Sequence, residues 1–515
     1  MARRARRRGR GHRQFVVSRH SGARELVDLV LDPGSFRSWD EPPVDPPATA
    51  AYAQELRAAR ERTGLDEAVM TGEGGIRGRR VAVMACEFSF LGGSIGVAAA
   101  ERLVRAVERA TAEGLPLLAA PVSGGTRMQE GTLAFVQMVK ITAAVAHHKA
   151  GGLPYLVYLR HPTTGGVFAS WGSLGHVTVA QPGALIGFLG PRVYEALYAR
   201  PFPEGVQVAE HLFERGLVDA VVEPERIGEV LDRTLNVLCA ERELSPPLED
   251  RPLEDQPVDD IEAWQSILRS RRPERPGVRR LLRHAATDVV PLNGTGQGEH
   301  DPGLVIALAR FGPAPCVFLG QDRRQQTADR PLGPAALREA RRGMRLAAEL
   351  RLPLVTVIDT PGAALSAEAE EGGLAGEIAR CLSELVTLEA PTLTLLLGQG
   401  SGGGALALLP ADRVLTAQHG WLSPLPPEGA SAIVHRDTAH APEMAESQGV
   451  RSLDLLANGI VDRIVPERPD AADEPEEFCR RVGAALQREL AALLRQRPPE
   501  RLRDRLDRYR RLGLS

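Results

Sequence analysis

The sequence predicts an α/β fold made of two related halves, with sheets that are mixed or mostly parallel. The chain of 515 residues exceeds what one hydrophobic core usually organises, so two domains of about 200–250 residues are expected. One pattern of apolar segments and glycine turns occurs twice along the chain, which is the mark of a duplication. Within each copy, short apolar runs alternate with amphipathic segments, a pattern typical of strands alternating with helices.

The repeat has a constant displacement of 237 positions, that between Leu115 and Leu352. Leu115-Pro116-Leu117-Leu118 leads to Ser123-Gly124-Gly125, and Leu352-Pro353-Leu354-Val355 leads to Thr360-Pro361-Gly362. The same displacement relates Pro154 to Pro391, Gly165-Gly166 to Gly402-Gly403, and Ala180-Gln181 to Ala417-Gln418. Matches in the same order at one displacement indicate that the halves are copies of one ancestral unit.

Local patterns predict the main elements of each half. Short continuous apolar runs predict buried strands at 116–122 and 155–159 in the first half, and at 353–358 and 392–397 in the second. Amphipathic segments predict helices, at 101–113, 128–148 and 336–350. Each half therefore reads as helix, strand, glycine turn and helix.

Composition divides the chain into regions. Residues 1–17 are rich in arginine and predict a disordered basic tail, with contact to an acidic partner as the alternative. A first domain is expected at 18–243 and a second at 269–515. Between them, residues 244–268 are rich in proline and acidic residues at their start, which predicts an extended linker.

The composition also excludes several classes of protein. A formal net charge of -3 favours neither nucleic acid nor membrane, and no run of about 18 apolar residues is present. The cysteines show no C-x-x-C spacing, which argues against a metal site or a disulfide scaffold and favours a reducing, cytoplasmic location. They are Cys86, Cys239, Cys316, Cys381 and Cys479.

The glycine turns are the candidate site. Consecutive glycines let a ligand approach the backbone closely, and N–H groups at a helix N-terminus suit an oxyanion. Ser123-Gly124-Gly125 and the segment from Gly398 to Ala405 both follow predicted strands. Plain tight turns are the alternative reading. Neither segment is a Walker loop or a dinucleotide fingerprint, and no Ser-His-Asp or Cys-His arrangement is evident. These features favour chemistry in which backbone donors do most of the work.

Longer motifs resemble a known family. Four segments of the first half resemble the β subunit of bacterial acetyl-CoA carboxylase carboxyltransferase: 90–96 (FLGGSIG), 123–131 (SGGTRMQEG), 162–167 (PTTGGV) and 186–193 (IGFLGPRV). Four segments of the second half resemble the α subunit: 358–362 (IDTPG), 370–371 (EE), 398–405 (GQGSGGGA) and 427–431 (PEGAS). The chain is similar to a natural fusion of the two subunits, of the actinobacterial type.

This resemblance implies two crotonase-like domains, each a ββα superhelix. It implies transfer of a carboxyl group from carboxybiotin on a separate carrier protein to the α carbon of acetyl-CoA, or of another short acyl-CoA. The product with acetyl-CoA is malonyl-CoA, which serves fatty acid biosynthesis. The cofactor is then biotin, with no metal in this chain, and the partners are the biotin carboxyl carrier protein and the ATP-linked biotin carboxylase subunit. A homodimer or higher oligomer is expected, because the family's active site lies between unlike halves of different subunits.

The resemblance also implies roles for single residues. Gly124 and Gly125 correspond to the pair that holds the thioester carbonyl, and Gly403 and Gly404 to the pair that holds the biotin ureido oxygen. In the family, CO₂ leaves carboxybiotin, the biotin nitrogen takes the α proton, and the enolate recaptures the CO₂. The expected substrate-binding residues are Gly92, Gly93, Arg127, Gly165, Gly166, Gly187, Gly190, Pro361, Gly362 and Arg323.

The chain departs from the family pattern in four respects. It has no four-cysteine zinc ribbon. Where the α subunit has Pro-Gly-Ala-Tyr-Pro-Gly-x-Gly, the segment at 361–368 lacks two glycines and the aromatic residue. Ser401 stands at a glycine position, and arginines replace the lysines near 321–324. Two other functions remain as alternatives: decarboxylation of a malonyl thioester, as in malonate decarboxylase, and a non-catalytic acyl-CoA-binding scaffold.

Overall fold

A computed structural model describes residues 22–44, 48–241, 258–327 and 329–514. The predicted basic tail at 1–17 lies outside the described residues, as does most of the predicted linker. The end of that linker is helical, because a helix spans Ala263–Ser270. Its apolar residues Ala263 and Ile267 pack on Trp421 of the second half. The expected domain limits stay predictions.

The first half starts with a helix over an antiparallel hairpin and continues as strands alternating with helices. Its strands are β1 (Arg37–Ser38), β2 (Val69–Ile76), β3 (Arg79–Cys86), β4 (Leu117–Ala120), β5 (Tyr155–Leu159), β6 (Thr163–Thr164), β7 (Val177–Ala180), β8 (Ile186–Gly187) and β9 (Ala220–Val221). Its helices are α1 (Ala23–Val30), α2 (Ala50–Thr63), α3 (Val97–Ala112), α4 (Gly131–Ala150), α5 (Gly165–Phe168), α6 (Pro191–Tyr198), α7 (Ala209–Glu214) and α8 (Ile227–Leu238).

The second half repeats this alternation and adds two long helices at its C-terminal end. Its strands are β10 (Thr287–Leu292), β11 (Leu304–Phe311), β12 (Ala314–Gln321), β13 (Leu354–Thr360), β14 (Thr392–Ser401), β15 (Arg413–Ala417), β16 (Trp421–Ser423) and β17 (Arg463–Val465). Its helices are α9 (Ala263–Ser270), α10 (Val278–Ala285), α11 (Pro334–Leu350), α12 (Ala367–Glu371), α13 (Leu374–Val386), α14 (Gly402–Leu406), α15 (Pro427–Val434), α16 (Ala441–Ser447), α17 (Ser452–Ala457), α18 (Pro475–Leu494) and α19 (Pro498–Arg511).

Each half forms one main sheet with an antiparallel start and a parallel continuation. The first sheet has the order β1-β2-β3-β4-β5-β7-β9 and is parallel from β3 onward. The second has the order β10-β11-β12-β13-β14-β15-β17, with β16 beside β14, and is parallel from β12 onward. The predicted α/β fold with mostly parallel sheets is confirmed.

The predicted strands form, with differences at their ends. β5 covers the predicted residues 155–159, and β4 lies within the predicted 116–122. β13 and β14 run beyond the predicted ends, to Thr360 and Ser401. Their last residues are polar or glycine, whereas the prediction followed apolar runs. These polar strand ends reach the candidate site.

The two halves pack against each other through one continuous apolar core. Leu118 of the first sheet belongs to the same buried cluster as Leu337 and Leu354 of the second half. At the junction, a Cβ built on Gly294 would lie 2.3 Å from the Cα of Gly216. The halves therefore form one packed body. Among the described residues, none of the helices is both long enough and apolar enough to cross a membrane.

An ion pair also joins the halves. The Glu349 carboxylate on α11 lies 3.3 Å from Nε2 of His176 and 3.2 Å from Nζ of Lys149, both in the first half. His176 Nδ1 accepts the Tyr155 N–H at 3.0 Å, so its Nε2–H faces the carboxylate. The His176 hydrogen bond, assisted by the Lys149 charge, lowers the pKa of Glu349 to about 2.

We expect Glu349→Gln to destabilise the chain near neutral pH but not in acid. A carboxyl whose folded pKa is depressed stabilises the fold above its unfolded pKa, and this contribution disappears as pH falls through the folded pKa. The difference in unfolding free energy between parent and variant should therefore shrink between pH 4.5 and about 2. Urea unfolding at about pH 7 and about pH 3 measures it. Glu229→Gln, at the exposed pair with Arg226, is the control. An equal difference at both pH values would contradict the assignment.

Candidate functional site

The first glycine turn follows β4 and is held by its own serine. Gly125 has φ +115°, a conformation that residues with a Cβ rarely adopt. Its N–H donates to Ser123 Oγ at 3.0 Å, and that hydroxyl donates back to Gly125 O at 3.2 Å. The Gly124 N–H donates to Gly92 O at 2.8 Å. Both N–H groups of the predicted pair thus have acceptors, one within the turn and one at Gly92, and the pair provides a fixed, open backbone surface.

A second glycine segment meets this turn at the start of α5. A Cβ on Gly165 would lie 3.2 Å from the Cα of Gly125, and a Cβ on Gly125 would lie 3.9 Å from the N atom of Gly166. The Gly165 N–H donates to Phe188 O at 3.0 Å. The Gly166 N–H, in the first turn of α5, has no acceptor among the described residues. It is therefore a free donor beside the Gly125 turn.

Other predicted glycines form the surroundings of this turn. Gly92 accepts the Gly124 N–H, and the backbone of Gly93 passes directly beneath the turn. Gly187 lies on β8, which pairs with β6 immediately before Gly165. Gly190 is the N-cap of α6. The structure thus brings Gly92, Gly93 and Gly187 close to this turn, whereas Gly190 shows no contact with it.

Arg127 is buried behind the turn, with only 1% of its surface exposed. Its guanidinium donates to both carboxylate oxygens of Glu67 and to Ser94 O, and it pairs with Glu130. Glu130 also accepts the Tyr52 hydroxyl and, at 2.6 Å, the Val97 N–H that starts α3. This network supports the loop from behind. The predicted substrate contact of Arg127 stays a prediction.

The sequence analysis missed most of this network. Burial and the bond to Glu130 raise the pKa of Tyr52, so the phenol remains a donor. The spacing of Arg127 and Glu130, three residues apart, was the one local signal of the network. Glu67 and Tyr52 are distant along the chain, and only the fold brings them together.

The second half repeats the turn with the same hydrogen bonds. Gly362 has φ +140°, its N–H donates to Thr360 Oγ1 at 3.2 Å, and that hydroxyl donates to Gly362 O at 3.1 Å. Isolated β-bridges join Ile95 to Thr126 and Leu332 to Ala363. Each contact of the second half is displaced by 237 positions from one in the first. The duplication thus extends to single hydrogen bonds, with Pro361 in place of Gly124.

The helix that faces this second turn is α14. A Cβ on Gly404 would lie 3.4 Å from the N and Cβ atoms of Ala363, and Gln321 Nε2 donates to Gly404 O at 2.7 Å. The N–H groups of Gly403 and Gly404 have no acceptors among the described residues. The predicted pair therefore supplies two free donors beside the Gly362 turn.

The segment at 361–368 keeps a defined backbone despite its missing glycines. Ser366 has an extended φ of -143°, and its side chain accepts the Ala369 N–H at 3.2 Å as the N-cap of α12. No left-handed residue is needed at that position. Leu365, just before it, is 93% exposed, so this departure leaves an apolar side chain beside the second turn.

Arg323, predicted to contact substrate, is occupied by the protein. Its guanidinium donates to the backbone carbonyls of Ser270 at 2.6 Å, Arg272 at 3.1 Å and Arg275 at 3.2 Å. It also lies 3.6 Å from the buried Asp359 carboxylate. Arg323 thus connects α9, the loop before α10 and the end of β13.

A cationic cleft lies next to Arg323. Its volume is about 630 Å³, and it is lined by Arg279, Arg280, Arg283, His284 and Arg324, with Asp322 and Glu476 as the acidic members. Arg279 pairs with Asp322. No ion pair of Arg280, Arg283 or Arg324 occurs within the part of the chain that the structure describes. The cleft therefore carries an excess of positive charge.

No group of three or more His, Cys, Asp or Glu side chains able to hold a metal occurs among the described residues. The candidate site consists of two glycine turns, each facing N–H donors that have no acceptor among the described residues. Such an arrangement stabilises negative charge on a carbonyl or ureido oxygen through oriented backbone dipoles.

Comparison with known proteins gives consistent matches along the whole chain. Residues 20–506 match the family described as carboxyl transferase domain. A probable biotin-dependent acyl-coenzyme A carboxylase beta3 subunit of Mycobacterium tuberculosis is 66% identical over 95% of this chain and 98% of that protein. The acetyl-coenzyme A carboxylase carboxyl transferase subunits beta/alpha of Salinispora tropica are 37% identical over 99% of this chain and 94% of that protein.

The solved structure of transcarboxylase 12S, a hexamer with methylmalonyl-coenzyme A and methylmalonic acid bound, matches with a TM-score of 0.73. The sequences are 22% identical, and the match covers 92% of this chain and 90% of that one. At this identity the likeness concerns the fold, and it confirms the predicted pair of crotonase-like domains.

Proposed function

Because this chain belongs to the carboxyl transferase domain family, we propose that it transfers a carboxyl group from biotin on a carrier protein to the α carbon of an acyl-CoA. The resemblance to joined β and α subunits is confirmed by the Salinispora relative. Acetyl-CoA, with malonyl-CoA as product, is one of the short acyl-CoA substrates that we propose. The pair of glycine turns with free N–H donors carries this proposal.

At the first turn, the chain stabilises the enolate of the acyl thioester. We assign the thioester carbonyl to the surface formed by Gly124 and Gly125, where the free Gly166 N–H can donate to its oxygen. The partial positive charge at the start of α5 adds to this donor. A donor aimed at a developing oxyanion typically contributes about 10²–10³-fold to the rate. We propose that the α proton leaves to a group that enters with the second substrate.

At the second turn, the residues fit a biotin ureido group. The absence of a Cβ at Gly362 and Gly404 leaves a cradle, and the Gly403 and Gly404 N–H groups beside it have no acceptors among the described residues. When bound, carboxybiotin supplies the carboxyl group and a ring nitrogen that can take up a proton. The chain's part is to hold the ureido oxygen with these N–H groups, and so to polarise the ring. The partners proposed are the biotin carboxyl carrier protein and the biotin carboxylase subunit that recharges it.

Exposed apolar surface supports an active site shared between two copies of the chain. Met128 is 81% exposed and Leu365 is 93% exposed, and they occupy equivalent positions beyond the two turns. More large apolar side chains are exposed near them: Leu133, Phe135, Val136, Val139, Phe188 and Leu197 in the first half, and Leu425, Ile433 and Val434 in the second. Apolar patches of this kind mark protein interfaces. We propose a homodimer, or a higher oligomer, in which the first half of one chain faces the second half of another.

Because the Arg323 guanidinium already holds three backbone carbonyls, the neighbouring cationic cleft is the better candidate for binding the phosphates of the acyl-CoA. Arg280, Arg283 and Arg324, which form no ion pair among the described residues, offer planar guanidinium groups suited to phosphate oxygens. The cleft includes Asp322, which follows β12, and the last residue of β12, Gln321, donates to Gly404 O. We propose that this cleft receives phosphates of the acyl-CoA that is held by the facing chain.

The reverse reaction tests the proposed function. Purified chain, malonyl-CoA and free biotin should give acetyl-CoA and carboxybiotin at a rate that depends on both substrates. If CoA esters bind but malonyl-CoA transfers no carboxyl group to biotin, the enzyme proposal is wrong and the result favours the non-catalytic scaffold. Decarboxylation of a malonyl carrier protein without biotin would instead favour the malonate decarboxylase alternative.

A further inference from the structure

Ser401, the last residue of β14, carries a hydroxyl group without a partner. The residue is 1% exposed, and its Oγ has no hydrogen-bond partner among the described residues. Ser401 is the N-cap of α14, yet its side chain makes no capping hydrogen bond. Buried hydroxyl groups are nearly always hydrogen-bonded, because an unpaired one keeps its full cost of desolvation. This orphan donor therefore requires an explanation.

The equivalent position in the first half has no such orphan. Thr164 stands 237 positions earlier, and its hydroxyl donates to Ser123 O at 3.3 Å. In the second half, the corresponding acceptor is the backbone carbonyl of Thr360, and the Ser401 hydroxyl makes no hydrogen bond to it. The fold can therefore supply a hydrogen-bond acceptor for a hydroxyl group at this position. In the second half, the hydroxyl of Ser401 has no such acceptor among the described residues.

The free hydroxyl borders the cradle of the second turn. Its Oγ lies 4.0 Å from the point where a Cβ on Gly362 would be. The free N–H groups of Gly403 and Gly404 belong to the helix turn that Ser401 precedes. Three donors without acceptors among the described residues thus lie beside the second turn. Such a set is matched to a ligand with several acceptor oxygens.

We propose that the Ser401 hydroxyl donates a hydrogen bond to the carboxybiotin bound at the second turn, as a third donor beside Gly403 and Gly404. This inference rests on the proposed function, and it adds a side-chain donor where the family pattern has a glycine. The ligand class is a cyclic urea carrying an N-carboxylate, whose oxygens outnumber the two backbone donors. No bond is made or broken by Ser401, which stabilises charge on the bound group.

Ser401→Ala tests the inference, with Ser452→Ala as a matched control. Ser452 is also a buried serine, but its hydroxyl donates to Gln418 O at 2.6 Å. For Ser401→Ala we expect kcat/KM for free biotin to fall about tenfold, with an unchanged KM for malonyl-CoA. Its melting temperature should stay equal or rise, because an unpaired buried polar group is removed. For Ser452→Ala, stability should fall while the activity per folded molecule is unchanged.

The outcomes distinguish a failure of the Ser401 proposal from a failure of the proposed function. If the unmodified chain transfers carboxyl groups and Ser401→Ala does so equally well, the inference is overturned and the proposed function stands. A loss of stability in Ser401→Ala as large as that in Ser452→Ala would also overturn it, since the hydroxyl would then have a structural partner. An unmodified chain without transfer activity would reject the proposed function, and the inference with it.

Discussion

We expect Gly125→Val and Gly404→Val each to reduce the rate of carboxyl transfer by about 10²-fold or more. At Gly125, φ is +115°, so a side chain both strains the backbone and enters the space beside Gly166. At Gly404, a Cβ would lie 3.4 Å from Ala363, and the two further methyl groups of valine would enter the cradle. Because the two turns serve different substrates, each variant should be inactive alone.

The measurement is the malonyl-CoA-dependent carboxylation of free biotin, with circular dichroism and urea unfolding to show that the fold survives. Gly64→Ala is the control, since Gly64 also has a positive φ (+69°) but lies at the end of α2 with nothing within 4 Å of its Cβ position. It should lose stability and keep its activity per folded molecule. Full activity in either valine variant would remove that turn from the site.

A mixture of the two inactive variants should recover activity if the site is shared between chains. In a dimer with one Gly125→Val chain and one Gly404→Val chain, one site combines both altered turns and the other combines both intact turns. Random pairing of equal amounts makes half of the dimers mixed, so about a quarter of the parental activity is expected. No other arrangement of the turns yields this recovery without exchange of covalent segments.

The mixing experiment requires subunit exchange, by mild denaturation and refolding or by co-expression with two different tags. Tandem purification then isolates the mixed oligomer, which should show about half of the parental activity. The control is the refolded mixture of one variant with itself. A mixed oligomer that stays inactive would place both turns of one site in the same chain.

The glycine turns could be predicted from the sequence because their signals are local. A buried apolar run followed by consecutive glycines specifies where a strand ends and where a ligand can approach, and this occurs twice at one displacement. The convergence of Gly125 with Gly165 follows from the parallel order of β4 and β5, which the alternating pattern predicted. The glycine motifs therefore located the two turns of the candidate site.

The charged residues could not be assigned in the same way. Arginine is usually exposed in folded proteins, and the motifs predicted Arg127 and Arg323 to contact substrate. In the structure, Arg127 is paired with Glu67 and Arg323 holds three backbone carbonyls. Such partners are distant along the chain, and only the three-dimensional packing selects them. The free hydroxyl of Ser401 was equally hidden, since the sequence shows a serine but not whether its hydrogen bond is satisfied.

The continuous core that joins the two halves has a mechanical consequence for the proposed dimer. Because both turns are fixed to one rigid body, a two-fold axis that aligns one site also aligns the other. The alignment of the two sites therefore depends on the same packing between the halves. A distortion at the Gly216–Gly294 contact would shift one turn against the other within each chain and misalign both sites equally. The core between the halves therefore fixes the distance between the two turns of each chain, and with it the distance that the carboxyl group crosses in the proposed dimer.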